Sequence, residues 1–530
     1  MEQLHHREVK IFEIFLNGPK DGLLVFIIYP LQEVLWTCTY SLYLWKMFRI
    51  FALLLLSFSM PSSEGATGGL KFQITQKGLE YAKEVVMEML LSQLKKEQIE
   101  DKNSSYKVPP LGDVFFSLSN INISRLQVKD SAVGFAEGTG LKLAIQNAQI
   151  VFHSNWVIKS LFGQDSGTAE IRIDQLSLFA VLGLDMDDGG RPLVQCTRCH
   201  SNIRDLDIKF SGPKSQLYNL ISFALKGILI FDVKKEVCSE LKKSVDNLAQ
   251  HLRSIKFLAQ IDSIAGIDYS LVSKPDIAEV RCNLDFKGEF FLVKKPHRSP
   301  FLPTPFFLPN QSSSMIVLGI SDFLVNSAAF TYFAGKKLQV NYTDKKIPKS
   351  VPFRLNTNNI GLLLPELKKQ FPGMPMEMHL AAWKEPRLRF RPWGLEATVL
   401  GRAEAFVVLP NSSLVSVFML NIDCNFTGQV FLEGDNSGNS IAKIRGSVVL
   451  NSLRLSQEWS RIGEIQVYFL EKLLKIAGQV ALSRVNRKLR EGMMLPRVYG
   501  ASFVDPEVTM HEGYMLIKTD LHYPLQKTVA

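Results

Sequence analysis

The chain has 530 residues, a net charge of +10, and 46% hydrophobic against 21% charged residues. Beyond residue 66 no run of eighteen uninterrupted apolar residues occurs, which excludes a bundle of membrane-spanning helices. The charge is uneven: 5 basic against 6 acidic side chains over residues 1–65, 30 against 27 over 66–299, and 26 against 18 over 300–530. Such a basic surface suits anionic partners such as membrane surfaces, glycans or lipid phosphates, and without clustering it serves solubility. Nothing in it points to nucleic acid, and a monomer is expected.

Met47 to Ala66 reads MFRIFALLLLSFSMPSSEGA, with a basic Arg49, an apolar core from Ile50 to Phe58, and small or polar residues around Ser62 to Ala66. This is the layout of a secretory signal peptide, and it is too short to span a bilayer. It predicts a physiological start at Met47, so residues 1–65 are an upstream extension, carrying a free Cys38, plus the signal peptide. A signal anchor beginning near Leu23 is the alternative, opposed by the end of the apolar run at Pro30. About 465 residues then remain, enough for two or three domains. Six glycosylation sequons agree with a secreted, extracellular protein: Asn103, Asn122, Asn310, Asn341, Asn411 and Asn425.

Along the mature chain, Leu79, Ala82, Val86, Met89 and Leu90 recur at three- and four-residue steps and predict a helix over 75–100. Period-two alternation at 141–145, 170–174 and 206–210 predicts strands of an antiparallel sheet or barrel with one buried face. A second long helix is predicted over 215–254, carrying Leu217, Leu220, Ile221, Leu225 and Ile228 and then Val237, Leu241, Val245 and Leu248. Four prolines in KPHRSPFLPTPFFLPN, residues 295–310, stop helix and central strand alike and mark a linker. The second half repeats the theme, with a short helix at 365–371, alternation at 387–391, and a long helix over 464–490 with Val467, Leu470, Leu474 and Ala477 on one face. The pattern predicts an α+β fold of two halves, each a twisted sheet with a long amphipathic helix against it. The apolar seam between helix and sheet suits acyl chains, although such a stripe is more often plain core.

Catalytic signatures are scarce, and no enzyme is predicted. The glycine pairs Gly163/Gly167 and Gly434/Gly438 have the wrong spacing for a nucleophile elbow, and Asp185, Asp187 and Asp188 lack the remaining ligands of a Ca²⁺ loop. No phosphate loop, dinucleotide fingerprint or His-Glu-x-x-His motif occurs, so no metal site is expected. Arg387, Arg389 and Arg391 alternate beside Trp393, as a solvated strand face or a contact for lipid phosphates.

Cys196-Thr197-Arg198-Cys199-His200 spells C-x-x-C-H. Haem attachment requires a helical pocket and axial ligand, whereas the flanks read as strand, and zinc lacks an evident fourth ligand. An oxidising route favours a disulfide tying this strand region to the helix that bears Cys238, worth roughly 3–4 kcal/mol for a loop of about forty residues. Spacing leaves the pairing of Cys196, Cys282 and Cys424 open.

ITQKGLEYA at 74–82, QIDSIAGIDYSLV at 260–272, VLGISDFLVNSAAF at 317–330, FVVLPNSSL at 406–414 and RVNRKLREG at 484–492 resemble the bactericidal/permeability-increasing protein and lipopolysaccharide-binding protein family, in order along essentially the whole mature chain. The resemblance implies a boomerang of two elongated antiparallel β-barrels joined by a central sheet: an N-terminal lipid-binding barrel over 66–290, a proline-rich linker and central sheet over 291–313, and a C-terminal lipid-binding barrel over 314–530. It implies one structural disulfide, Cys199 with Cys238, and no cofactor beyond a bound phospholipid. It also implies phospholipid or lipopolysaccharide acyl chains as partners in an innate-immune, antibacterial setting. On that basis the expected N-terminal pocket is lined by Leu79, Val86, Leu90, Leu217, Ile221 and Leu225, and the C-terminal pocket by Val467, Leu470 and Leu474. One departure stands out. The segment matching the cationic tip of endotoxin-binding members, residues 147–174, holds only Lys159 and Arg172 as cations against Asp165, Glu170 and Asp174.

Overall fold

The computed structural model describes residues 67–94, 101–108, 112–160, 163–213, 215–294, 298–310, 312–346, 354–433, 443–494 and 501–524. The leader, Cys38 and the expected start at Met47 lie outside them. In chain order the first half comprises β1 (Leu70–Thr75), α1 (Gln76–Leu94), β2 (Lys102–Val108), β3 (Gly112–Gln127), β4 (Asp130–Ala136), β5 (Gly140–Ser160), β6 (Gly163–Met186), β7 (Pro192–Ser211) and α2 (Ser215–Ser254). Short strands follow: β8 (Leu258–Gln260), β9 (Ala265–Asp268), β10 (Asp276–Ala278), β11 (Arg281–Phe286) and β12 (Glu289–Leu292). The second half comprises β13 (Ile316–Ser321), α3 (Asp322–Ala334), β14 (Gln339–Thr343), α4 (Thr357–Ile360), α5 (Pro365–Gln370), β15 (Met376–Ala382), β16 (Arg387–Arg391), β17 (Gly394–Val408), β18 (Leu414–Glu433), β19 (Lys443–Ser460), α6 (Val467–Glu491), β20 (Met493–Met494), β21 (Ser502–His511) and β22 (Tyr514–His522).

The fold is mixed α and β with strands predominating. Each half has one long antiparallel sheet, β2-β3-β5-β6-β7 with β4 on β5, and β14-β15-β17-β18-β19-β20 with β16 on β17. Of the two elongated barrels expected, the described residues give the two long antiparallel sheets, and among those residues no pairing joins the first strand of either sheet to its last. Between them runs a central sheet in the order β10-β11-β1-β13-β22-β21, in which β1 of the first half pairs with β13 of the second. No described helix is long and apolar enough to cross a membrane.

The three alternating patches seen in the first half are pieces of strands 21, 24 and 20 residues long. Bulges explain why only pieces were visible. Register shifts between Ser119 and Asn122, Ile145 and Ala148, and Val181 and Leu182 each insert residues on one strand, so the buried parity flips midway. Asn120, Asn147 and Gln175 adopt positive φ beside such breaks, a conformation that asparagine tolerates better than most residues.

Each long helix is laid on its sheet and pinned at the open edge by an asparagine. Asn219 of α2 accepts from the Phe210 N–H at 2.8 Å and donates to the Phe210 carbonyl at 3.0 Å, completing the free side of β7. Asn486 of α6 does the same for Val448 of β19, at 2.7 and 2.8 Å. An unpaired strand edge is a liability, and one side-chain amide replaces one residue of a missing neighbour strand.

Candidate functional site

Cys199 and Cys238 form a disulfide between β7 and α2, with Cα atoms 5.8 Å apart. In a regular strand, residues three apart face opposite ways. Here Leu182 pairs with Cys196 and Val181 with Arg198, so Thr197 is an extra residue, and the bulge brings Cys196 back to the face of Cys199. Cys196 remains a free thiol packed against the core of the first half. Its pKa is raised by burial, opposed by Lys242 and reinforced by Asp246, both on α2. His200 is exposed, and among the described residues no cluster of His, Cys, Asp or Glu is placed to hold a metal. The haem-like spelling therefore carries a clamp between strand and helix.

Beneath α2, Trp156 meets Tyr218 at 5.0 Å and Phe210 at 5.3 Å between ring centroids, and its indole N–H donates to the Thr168 carbonyl at 2.9 Å. These rings belong to a packed core of the first half. Ile150, Phe152 and Ile171 of the sheet and Ile230 and Val233 of α2 are half-buried at the margin of the same cluster. Of the residues expected to line this pocket, Leu79 is fully buried in a packed cluster with Ile74, Leu252 and Leu284, and Val86 is half-buried at the margin of that cluster. Leu90, Leu217, Ile221 and Leu225 lie on α1 and α2 but outside the side chains that the structure describes.

The second half holds a stretch of sheet that is only half-buried. Alternate residues of β17, β18 and β19 share one face of the sheet, with α6 packed on β19, and the registers set Val399 beside Cys424 and Cys424 beside Leu453, with Ala397, Phe426 and Leu450 in the next row. At one end this inner face is packed into a core of Ala403, Ala405, Phe418, Leu420 and Leu455, and at the other into a core with Phe390 and Leu395. Between them Ala397, Val399, Cys424 and Phe426 are half-buried and belong to neither described cluster. Of the expected lining residues, Leu470 is buried in the first cluster, Val467 packs against it, and Leu474 is 38% exposed. The strip of β17 and β18 was missed in the sequence, although its period-two alternation from Leu395 to Val407 is plain once looked for.

The lysine-poor tip segment is formed by β5 and β6. Lys159 is exposed, whereas Arg172 is half-buried and lies 3.4 Å from Glu170, which neutralises it. The sequon residues Asn103, Asn122, Asn310, Asn341 and Asn411 are exposed. Asn425 is half-buried in β18, its side-chain oxygen accepting from the Thr398 hydroxyl at 2.8 Å and its amide donating to Ser452 at 3.1 Å.

Two sheets roofed by long helices, joined through a shared central sheet and clamped by one disulfide, form a bipartite scaffold with an apolar seam in each half. The N-terminal domain profile of the LBP / BPI / CETP family matches residues 78–248 and the C-terminal domain profile matches residues 259–523, so the chain belongs to this family. It is 32% identical over 466 residues to the bactericidal permeability-increasing protein of Sebastes schlegelii, covering 88% of this chain and 97% of that protein. To the lipopolysaccharide-binding protein of Homo sapiens it is 28% identical over 475 residues, covering 89% and 97%. A crystal structure of lipopolysaccharide binding protein superimposes with a TM-score of 0.52 at 27% identity, covering 86% of this chain and all of that one.

Proposed function

We propose that the chain is a secreted, non-enzymatic lipid-binding protein of innate defence that buries acyl chains beneath its long helices. The half-buried strip Ala397, Val399, Cys424 and Phe426, left between two packed cores on the sheet whose strand β19 carries α6, is the observation that carries this reading. Apolar inner faces of this kind gain about 0.8 kcal/mol for each ligand CH₂ removed from water, so two acyl chains supply tight binding without any head-group contact. Relatives named for binding lipopolysaccharide, and for increasing bacterial permeability, support the setting.

The tip favours phospholipid over lipid A. Lipid A phosphates call for charge-assisted bonds of about 1.5–3 kcal/mol each, and of the two cations within 147–174 Arg172 is already paired with Glu170, which leaves Lys159 as the one without a carboxylate partner among the described residues. An extracellular lipid-transfer carrier without strong lipopolysaccharide binding is therefore the second reading. Organic extraction of protein purified from secretory-cell medium, followed by mass spectrometry, should recover phospholipid in stoichiometric amount. Lipid-free protein that also takes up none from vesicles would refute the pocket. Exchange of labelled phospholipid between vesicles separates a carrier from a receptor.

A further inference from the structure

On the outer face of the first sheet, away from the apolar seam, the register aligns polar side chains in rows. Asn122 lies opposite His153, and His153 opposite Glu170; in the next row Asn155 lies opposite Thr168. Beside the bulge between Ser119 and Asn122, with Asn120 at φ +52°, lies an open cleft of about 400 Å³ lined by Asn120, Asn122, His153, Asn155, Thr168 and Glu170, with Ser154, Ala169 and Ser211 completing it. Its lining supplies amides, a hydroxyl, an imidazole and a carboxylate, a donor and acceptor set matched to sugar hydroxyls and acetamido groups.

Asn122 is itself a sequon residue, since Asn122-Ile123-Ser124 is an acceptor sequence and the Asn122 side chain is exposed. We propose that this cleft cradles the first two N-acetylglucosamine residues of a glycan borne by Asn122. The bond forms between Asn122 Nδ2 and C1 of the first sugar, displaces the diphosphate lipid carrier of the oligosaccharide donor, and releases an Nδ2 proton. Glu170 and Asn155 accept from sugar hydroxyls, and the His153 and Asn155 side chains engage the acetamido groups. The lining holds no Phe, Tyr or Trp ring for a sugar to stack on, so a free saccharide would bind weakly. A tethered one needs little affinity, because attachment at the rim raises its effective concentration to the millimolar range or above.

The proposal rests on the reading that the protein is secreted, and the test separates the two. Full-length protein from secretory cells is digested under native and denaturing conditions with a peptide-N-glycosidase, and release at Asn122 and Asn411 is followed by glycopeptide mass spectrometry. Asn122 should be occupied and released at least tenfold more slowly than Asn411 in the native protein, at equal rates after denaturation. The double variant His153→Ala, Glu170→Ala should abolish the difference; if that variant fails to fold, the comparison within the unmodified protein decides. A bare Asn122 beside an occupied Asn411, or native release as fast as at Asn411, overturns the cradle while secretion stands. No occupancy at any sequon overturns both.

Discussion

Cys424 stands in the middle of the half-buried strip with its thiol pKa pushed up to about 11 by burial, its neighbour Asp423 adding to the rise. Only the thiolate reacts, so at pH 8 about one molecule in a thousand is reactive, against roughly one in four for a free thiol of pKa near 8.5. Alkylation of Cys424 followed by mass spectrometry should run a few hundred-fold slower than that of a model thiol, rise as the pH approaches 11, and fall further when the protein is loaded with phospholipid. No protection by lipid would place the ligand elsewhere. The sequons are likewise separable by environment. Asn411 is exposed in the turn joining β17 and β18, its side-chain oxygen held by Ser413, whereas both ends of the Asn425 amide are engaged within the sheet. Glycopeptide mapping should find Asn411 modified and Asn425 bare. The residue types were all visible in the sequence. That Cys199 rather than Cys196 bonds to Cys238 came from the family resemblance and not from spacing, because strand spacing alone sets the two on opposite faces and only the extra Thr197 puts them together.

The long helices were readable because their apolar stripes keep the helical period for 40 residues in α2 and 25 in α6. The long strands were not, because every bulge resets the period-two signal, and a strand of twenty or more residues reads as short patches. The two asparagine pins were also hidden, since Asn219 and Asn486 look like ordinary polar positions until the strand edge beside them is known. Asn486→Ala leaves the Val448 N–H and carbonyl without their partner and should lower stability by about 1–3 kcal/mol, read as a shift of the denaturation midpoint at unchanged slope. A change under a few tenths of a kcal/mol would mean that water replaces the amide freely. Cys199 and Cys238 are 39 residues apart. Replacing both by serine should cost about 3–4 kcal/mol in the chain-entropy model, and adding Cys196→Ser removes any alternative pairing from the measurement.

At the scale of the molecule, the excess of basic residues lies in the second half, where 26 basic side chains face 18 acidic ones, while the tip segment of the first half is close to neutral. Binding driven by acyl burial should respond little to salt. Affinity for lipid A vesicles should change less than about tenfold between roughly 50 and 500 mM salt, because screening acts on exposed charge and leaves apolar burial in place; a steep loss measured by flotation would restore an electrostatic receptor. The proline-rich break and the two long helices are the sequence signals from which a bipartite plan is expected. The central sheet was legible only through family resemblance, since its six strands come from distant segments. That sheet also sets a timetable for synthesis. β1 ends at Thr75, yet its partners β11 and β13 begin at Arg281 and Ile316. At about 5–20 residues per second, the strand that opens the fold waits tens of seconds for its neighbours to be made, and over that interval the nascent chain depends on something other than its own sheet to keep Phe72 and Ile74 from the wrong company.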